Sequence, residues 1–241
     1  MDSGSLPQDP RPTAPGDLAA APGAVAAPND PLAPTARQIL DVAEREFSRH
    51  GVDKVSLREL GVASGQRNVS AVSYHFGSRE GLLAALLSRR IRRLNQLRLE
   101  RLRLLARLGK ADEPHAVIGE SFRVLADAVR DEPWGADFVR VLAQVFFHPE
   151  LDFHALVPEA LTEGYRLSMT LIQPALGSLP PQTLEDRMSL AYHHGTYALA
   201  MWLHTHGPVT AGHEAAYEAF VDDTVDFIVG GVTAPRSRRP A

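Results

Sequence analysis

Between Ser56 and Leu83 the chain reads SLRELGVASGQRNVSAVSYHFGSREGLL, and its punctuation leaves room only for short, sharply broken helices. Ser56 followed three residues later by Glu59 is a capping box: the hydroxyl accepts from a helix N–H and the carboxylate reaches back to the cap. A helix is therefore predicted from Leu57, with Leu57, Leu60 and Val62 on its inward face. Gly65 falls where that helix must stop, because glycine takes a left-handed backbone without steric cost. Asn68 is predicted to cap a second helix, in which Val69, Val72 and Phe76 recur at i, i+3 and i+7 as an apolar stripe. Gly77 breaks that helix and Ser78 caps the next. Burying the stripe turns Ser70, Ala71, Ser73, Tyr74 and His75 outward. Small and hydrogen-bonding side chains on such a face suit a major groove, where a helix must approach base edges closely and offer donors and a methyl. The stretch reads as a helix-turn-helix, a pattern shared with ordinary surface-helix pairs of all-α proteins.

Charge distribution favours the nucleic-acid reading. The formal net charge is −4, but it is unevenly spread. Residues 1–34 hold one Arg against four Asp, residues 35–110 hold sixteen Lys and Arg against seven acids, and residues 111–241 hold eight against eighteen. The excess of cations thus coincides with the helix-turn-helix, as phosphate binding requires. The chain has no Cys, which excludes disulfides, thiolate catalysis and Cys-based zinc sites.

Two segments carry a family resemblance. Val72 to Leu83, VSYHFGSREGLL, resembles the signature of the TetR family of bacterial transcriptional repressors, in which the recognition helix ends in a Tyr/His/Phe cluster followed by Gly-Ser-Lys-Glu-x-Leu. Thr35 to Leu57, TARQILDVAEREFSRHGVDKVSL, resembles the same family's first helix and its link to the second. The chain departs from the pattern by one extra residue within GQRNVS and by Ser73 where an aromatic is usual. The resemblance implies that Tyr74, His75 and Arg79 touch DNA and that Phe76 belongs to the core. With the outward face and its approach, the candidate DNA contacts are Ser56, Arg67, Asn68, Ser70, Ala71, Ser73, Tyr74, His75 and Arg79.

The expected fold is all-α, with about nine helices. Residues 1–33 are rich in Pro, Ala, Gly and Asp and are predicted to be a disordered extension, without the basic segment and apolar core of a secretion signal. Residues 34–82 form the DNA-binding domain, whose first helix opens on a Thr35–Gln38 capping box. Residues 83–231 form a regulatory and dimerisation domain, and 232–241 a flexible basic tail. A helix from Ser78 to about Leu108 carries many Arg residues, read mainly as a solvated face, with Arg89 and Arg90 adding long-range phosphate attraction. Further helices are predicted over Pro114–Arg130, Trp134–Phe147, Pro158–Leu176, Thr183–His206 and Gly212–Val229, the last closed by Gly230-Gly231. No run is long and apolar enough for a membrane span, so a cytoplasmic protein is expected.

The family forms two-fold dimers through its last helices, and dimerisation is expected through Leu184, Met188, Ala191, Gly195, Leu199, Tyr217, Phe220, Val221, Thr224 and Ile228. A small-molecule effector is expected in an apolar cavity walled by Phe122, Phe138, Phe146, Phe147, Tyr165, Met169, His194 and Trp202. His193, His194, His204 and His206 diverge along one helix and cannot converge on a zinc ion. No metal, cofactor or catalytic group is assigned. The implied function is a ligand-responsive repressor that binds a palindromic double-stranded operator as a homodimer. The alternatives are an activator or nucleoid-type binder sharing the module, and an all-α carrier or enzyme whose first helices are only structural.

Overall fold

Helical periodicity governs every described segment. In the computed structural model, which describes residues 32–66 and 70–236, there are ten α-helices and no strand among those residues. The expected extension up to residue 31, Arg67, Asn68 and Val69, and the tail from residue 237 lie outside them.

Helix α1 (Pro34–His50) starts one residue before the predicted cap: Ala33 takes the N-cap position with no side-chain bond, and Pro34, its φ already helical, opens the first turn. The expected Thr35–Gln38 box is therefore not the start of this helix. Ile39, Leu40, Ala43 and Phe47 are fully buried. Gly51 ends the helix at φ 101°, a conformation that L side chains rarely adopt. Helix α2 (Leu57–Ala63) has the predicted box, with Ser56 Oγ accepting from the Glu59 N–H at 3.2 Å and Ser56 N–H donating to Glu59 Oε2 at 2.7 Å. Leu60 is buried, but Val62 is 65% exposed and does not serve the inward face. Helix α3 (Ala71–Phe76) is anchored by Val72, which is fully buried, and by Phe76, packed against the core.

Helix α4 (Arg79–Arg107), capped by Ser78, is 29 residues long. It is followed by α5 (Pro114–Asp131), α6 (Gly135–Phe147), the short α7 (Phe153–Leu156), a 3-10 turn (Glu159–Thr162), α8 (Glu163–Ile172), α9 (Pro181–His206) and α10 (Glu214–Thr233). Helix α7 carries too little sequence to show a period, which is why it was not expected. Helix α10 passes through Gly230-Gly231, the expected terminator, and continues to Thr233.

The first three helices pack on one another, and α1 packs on α4 and α6 and α3 on α4. From Leu32 onward the chain is one compact unit, with a continuous apolar core from Ile39 in α1 to Val232 in α10.

Candidate functional site

The outward surface of α3 is built by its two anchors. With Val72 and Phe76 held inward, Ser70, Ser73 and Tyr74 face solvent, and Tyr74 is 85% exposed. Ala71 and His75 are half-buried, and the His75 ring lies edge-on to Tyr74 at 5.2 Å. A six-residue helix spans about 9 Å, short enough to enter a major groove about 12 Å wide. On α1 and α2, which pack with α3, and on their connection, Arg37, Arg45, Arg49, Lys54 and Arg58 are exposed. These cations escaped the residue-by-residue candidates because only their summed charge, not their spacing, signals them.

Two of the expected contacts have intramolecular work. The Ser56 hydroxyl is the α2 cap and also donates to Glu59 Oε2 at 2.8 Å. The backbone N–H of Ser56, followed by its hydroxyl, holds the Glu59 carboxyl below its ordinary value. Arg79 Nη1 donates to the Val52 carbonyl, tying the start of α4 to the turn after α1.

Behind this surface, α1 is clamped by polar contacts that the sequence did not announce. Arg90 donates from Nε to Glu44 Oε1 at 2.9 Å, Arg89 meets Asp41 at 2.6 Å and Glu44 at 3.5 Å, and the Trp134 ring lies 4.5 Å from the Arg90 guanidinium. Burial pushes the Glu44 carboxyl up, against the opposing pull of Arg90. Arg89 and Arg90 are thus compensated by acids of α1, and the expected long-range phosphate attraction is largely neutralised where they sit. From α6, Gln144 bridges the end of α1: its Oε1 accepts from the Val52 N–H at 2.9 Å and its Nε2 donates to the Phe47 carbonyl at 3.1 Å. Ser48 donates to Asp137 at 2.7 Å, and His148 lies 2.7 Å from Asp53.

The helical body differs from expectation in two respects. First, the side chains proposed as an effector wall do not share one degree of burial. Phe138 is fully buried, Phe147 and His194 are exposed, and Phe146, Tyr165 and Met169 are half-buried. Phe122 and Trp202 are buried, and Phe122 lies against Gly195 so closely that a Cβ there would stand 2.5 Å from the ring. Beside them is an apolar void of about 10 Å³, lined by Ile118, Phe122, Met188, Ala191, Tyr192 and Ile228. That is about the room a single water needs.

Second, the residues expected to face another subunit are core of the same chain. Leu184, Met188, Leu199, Tyr217, Val221, Thr224 and Ile228 are buried within it, as are Ala191 and Gly195, while Phe220 is half-buried against Trp202 at 4.9 Å. Tyr217 donates to the Ala126 carbonyl at 2.8 Å, and burial raises its phenol well above the ordinary value. The exposed apolar side chains of α9 and α10 follow a different stripe: Leu190, Tyr197, Met201 and Phe227, with His194 stacked on Phe227 at 4.6 Å. Leu190, His194, Tyr197, Met201 and His204 alternate at spacings of four and three, a heptad seam present in the sequence beside the chosen one. The histidines are dispersed: His193 packs on Phe146, His194 on Phe227 and His206 on Trp202.

A capped helix, a glycine-ended turn, a short helix with a polar outer face and a long supporting helix define a helix-turn-helix DNA-binding protein with a helical C-terminal domain. Residues 39–86 match the family model for bacterial regulatory proteins of the tetR family, and residues 122–231 match that of the tetracyclin repressor-like C-terminal domain. The chain belongs to the TetR family of transcription regulators. Its fold is similar to that of the fatty acid degradation regulator FadR from Bacillus halodurans, with TM-score 0.56 and 14% identity over 84% of this chain and 98% of that one. A tetR-family transcription regulator structure from Shewanella sp. PV-4 gives TM-score 0.59 and 13% identity over 81% and 96%. No curated protein sequence matches the chain. Among the described residues no helix is long and apolar enough to cross a membrane.

Proposed function

We propose that this chain is a one-component repressor that binds a palindromic operator as a homodimer and is released by a small-molecule effector held in its helical body. The observation that carries the proposal is the linkage of α3 to that body. The exposed Ser70, Ser73 and Tyr74 ride on a three-helix head of about residues 34–82, whose first helix is gripped by Arg89 and Arg90 of α4 and by Gln144 of α6. Movement of α4 against α6 therefore reorients α3.

A two-fold dimer places a pair of such helices in successive major grooves, roughly 34–36 Å apart in the simplest arrangement. The exposed Leu190, Tyr197, Met201 and Phe227 supply the apolar seam for that dimer, in place of the residues already spent in the core. An effector shifts operator affinity only through its preference for one of the two states, and a tenfold loss needs about 1.4 kcal/mol of preference. Selection of duplexes from a random pool, followed by binding with and without excess non-specific DNA, tests the reading. Enrichment of an inverted repeat bound at two subunits per site is expected; absence of any preferred duplex overturns it.

A further inference from the structure

Arg98 projects from the middle of α4 into the helical body and is only 8% exposed, yet no Asp or Glu among the described residues pairs with it. Its Nε and Nη2 both donate, at 3.3 Å, to the Ser121 carbonyl of α5. The next arginine on the helix, Arg101, has two acids, Glu120 at 3.4 Å and Asp127 at 2.6 Å. A desolvated guanidinium served by one long pair of bonds to a carbonyl is short of an anion, since burial of charge is costly unless it is paired.

The surroundings are built to hold it there. Gly164 N–H donates to Asn95 Oδ1 at 2.7 Å, and a Cβ on Gly164 would lie 3.2 Å from Arg98 Cδ, so the absent side chain lets α8 close over this part of α4. The Ser121 and Ser168 hydroxyls bond each other at 2.7 Å and bring no negative charge to the guanidinium.

An unpartnered group lies beside Arg98. The Tyr192 hydroxyl is buried without a hydrogen-bond partner, and the ring of the same residue is 5.3 Å from the Arg98 guanidinium carbon. Tyr192 also lines the apolar void bounded by Ile118, Phe122, Met188, Ala191 and Ile228. A cation lacking an anion, a hydroxyl lacking an acceptor and an apolar slot are therefore joined through one aromatic side chain.

We infer that the effector is an apolar monocarboxylate, its carboxylate taken by Arg98 and the Tyr192 hydroxyl and its body by the slot, which widens as Phe122 leaves Gly195. Resting on the regulator reading above, this assigns the chemical class of the effector. A carboxylate accepts the guanidinium fork with short charge-assisted bonds and takes the phenol proton donor on its remaining lone pairs. An alcohol of the same shape offers a hydroxyl acceptor but brings no negative charge to the guanidinium. Because Arg98 is on the same helix as Arg89 and Arg90, about 12–14 Å along it, a pull on Arg98 is felt at the clamp on α1.

The experiment titrates the full chain with octanoate and 4-phenylbutyrate, and with octanol and 4-phenylbutanol as neutral matches, by calorimetry and thermal unfolding. Carboxylates are expected to bind at least tenfold tighter than their alcohols and to raise Tm. Arg98→Met is expected to raise the Tm of the unliganded protein and to lose at least tenfold in carboxylate affinity; Arg98→Lys regains part of it. If Arg98→Met does not fold, Tyr192→Phe, which removes only the hydroxyl, must still weaken the carboxylates and spare the alcohols. Equal binding of acids and alcohols, full carboxylate affinity in the Arg98 or Tyr192 variants, or no binding of either acid overturns the assignment. Failure of the unliganded chain to prefer any duplex sinks the regulator reading instead, and calorimetry reads the carboxylate without reference to DNA.

Discussion

At the scale of single residues, the candidate interface separates side chains that face solvent from side chains that hold the head together. Tyr74 is 85% exposed on a helix anchored by Val72 and Phe76, so Tyr74→Ala is expected to change stability by no more than about 0.5 kcal/mol while weakening operator binding roughly tenfold. Thermal unfolding and duplex titration on the same sample check it; a parallel loss of both makes Tyr74 structural. Ser56 behaves in the opposite way. Ser56→Ala removes the α2 cap and is expected to cost about 1 kcal/mol. The same bonds hold the Glu59 carboxyl below its ordinary value of 4.5, through the Ser56 N–H first and its hydroxyl second. A carboxyl lowered in the folded state stabilises above its unfolded value and loses that contribution as pH falls through the folded one. The Glu59 share is thus constant from neutrality down to about pH 5 and fades below 4.5. In Ser56→Ala, which keeps the backbone N–H and loses the hydroxyl, the midpoint followed by carboxyl NMR should move part of the way up toward the ordinary value, and an unmoved midpoint would remove the hydroxyl as a cause.

Between elements, the joint of α1 with α4 and α6 carries the signal that the proposed mechanism needs. Glu44→Gln preserves shape but takes the buried carboxylate from the Arg90 guanidinium, packed under Trp134, leaving it only the half-exposed Asp41 at 3.6 Å, and is expected to cost about 3 kcal/mol. Asp41→Asn touches a half-exposed partner of Arg89 and is expected to cost under about 1 kcal/mol. Denaturant unfolding of both variants checks the contrast, and equal costs would deny the buried pair its place in the joint. This joint was illegible beforehand, because Glu44 is paired with a residue far along the chain and Gln144 with backbone atoms of another helix, relations no periodicity records. What was legible was local: the Ser56–Glu59 box, the glycine stops at Gly51 and Gly65, Val72 as anchor and the cap at Ser78. The failures were local signals overridden by packing. Pro34 outranked Thr35 at the start of α1, and Gly230-Gly231, which face open space, did not end α10. Helix α9 has two apolar stripes, and only the folded chain shows that Leu184, Met188 and Leu199 face inward while Leu190 and Tyr197 face out.

For the whole molecule, the proposed dimer turns on that second stripe, since one six-residue helix touches few base pairs and a two-fold pair would supply a full site. Leu190 and Phe227 are 69% and 66% exposed, and the glycines at 230 and 231 have open space where a Cβ would stand. Two glycines inside a helix cost about 1 kcal/mol each relative to alanine, a cost that is offset if a second backbone approaches them closely. Leu190→Glu with Phe227→Glu places four carboxylates in a two-fold seam while leaving each chain's own core untouched. Light scattering is expected to show a dimer for the parent chain and a monomer for the double variant, with Tm of the monomer concentration-independent and operator affinity reduced at least a hundredfold. Lengthening the duplex to carry one half-site or two separates the causes: the parent chain gains strongly from the second half-site, whereas the variant binds both duplexes alike. A double variant that remains dimeric and keeps its preference for the inverted repeat would move the interface off this face.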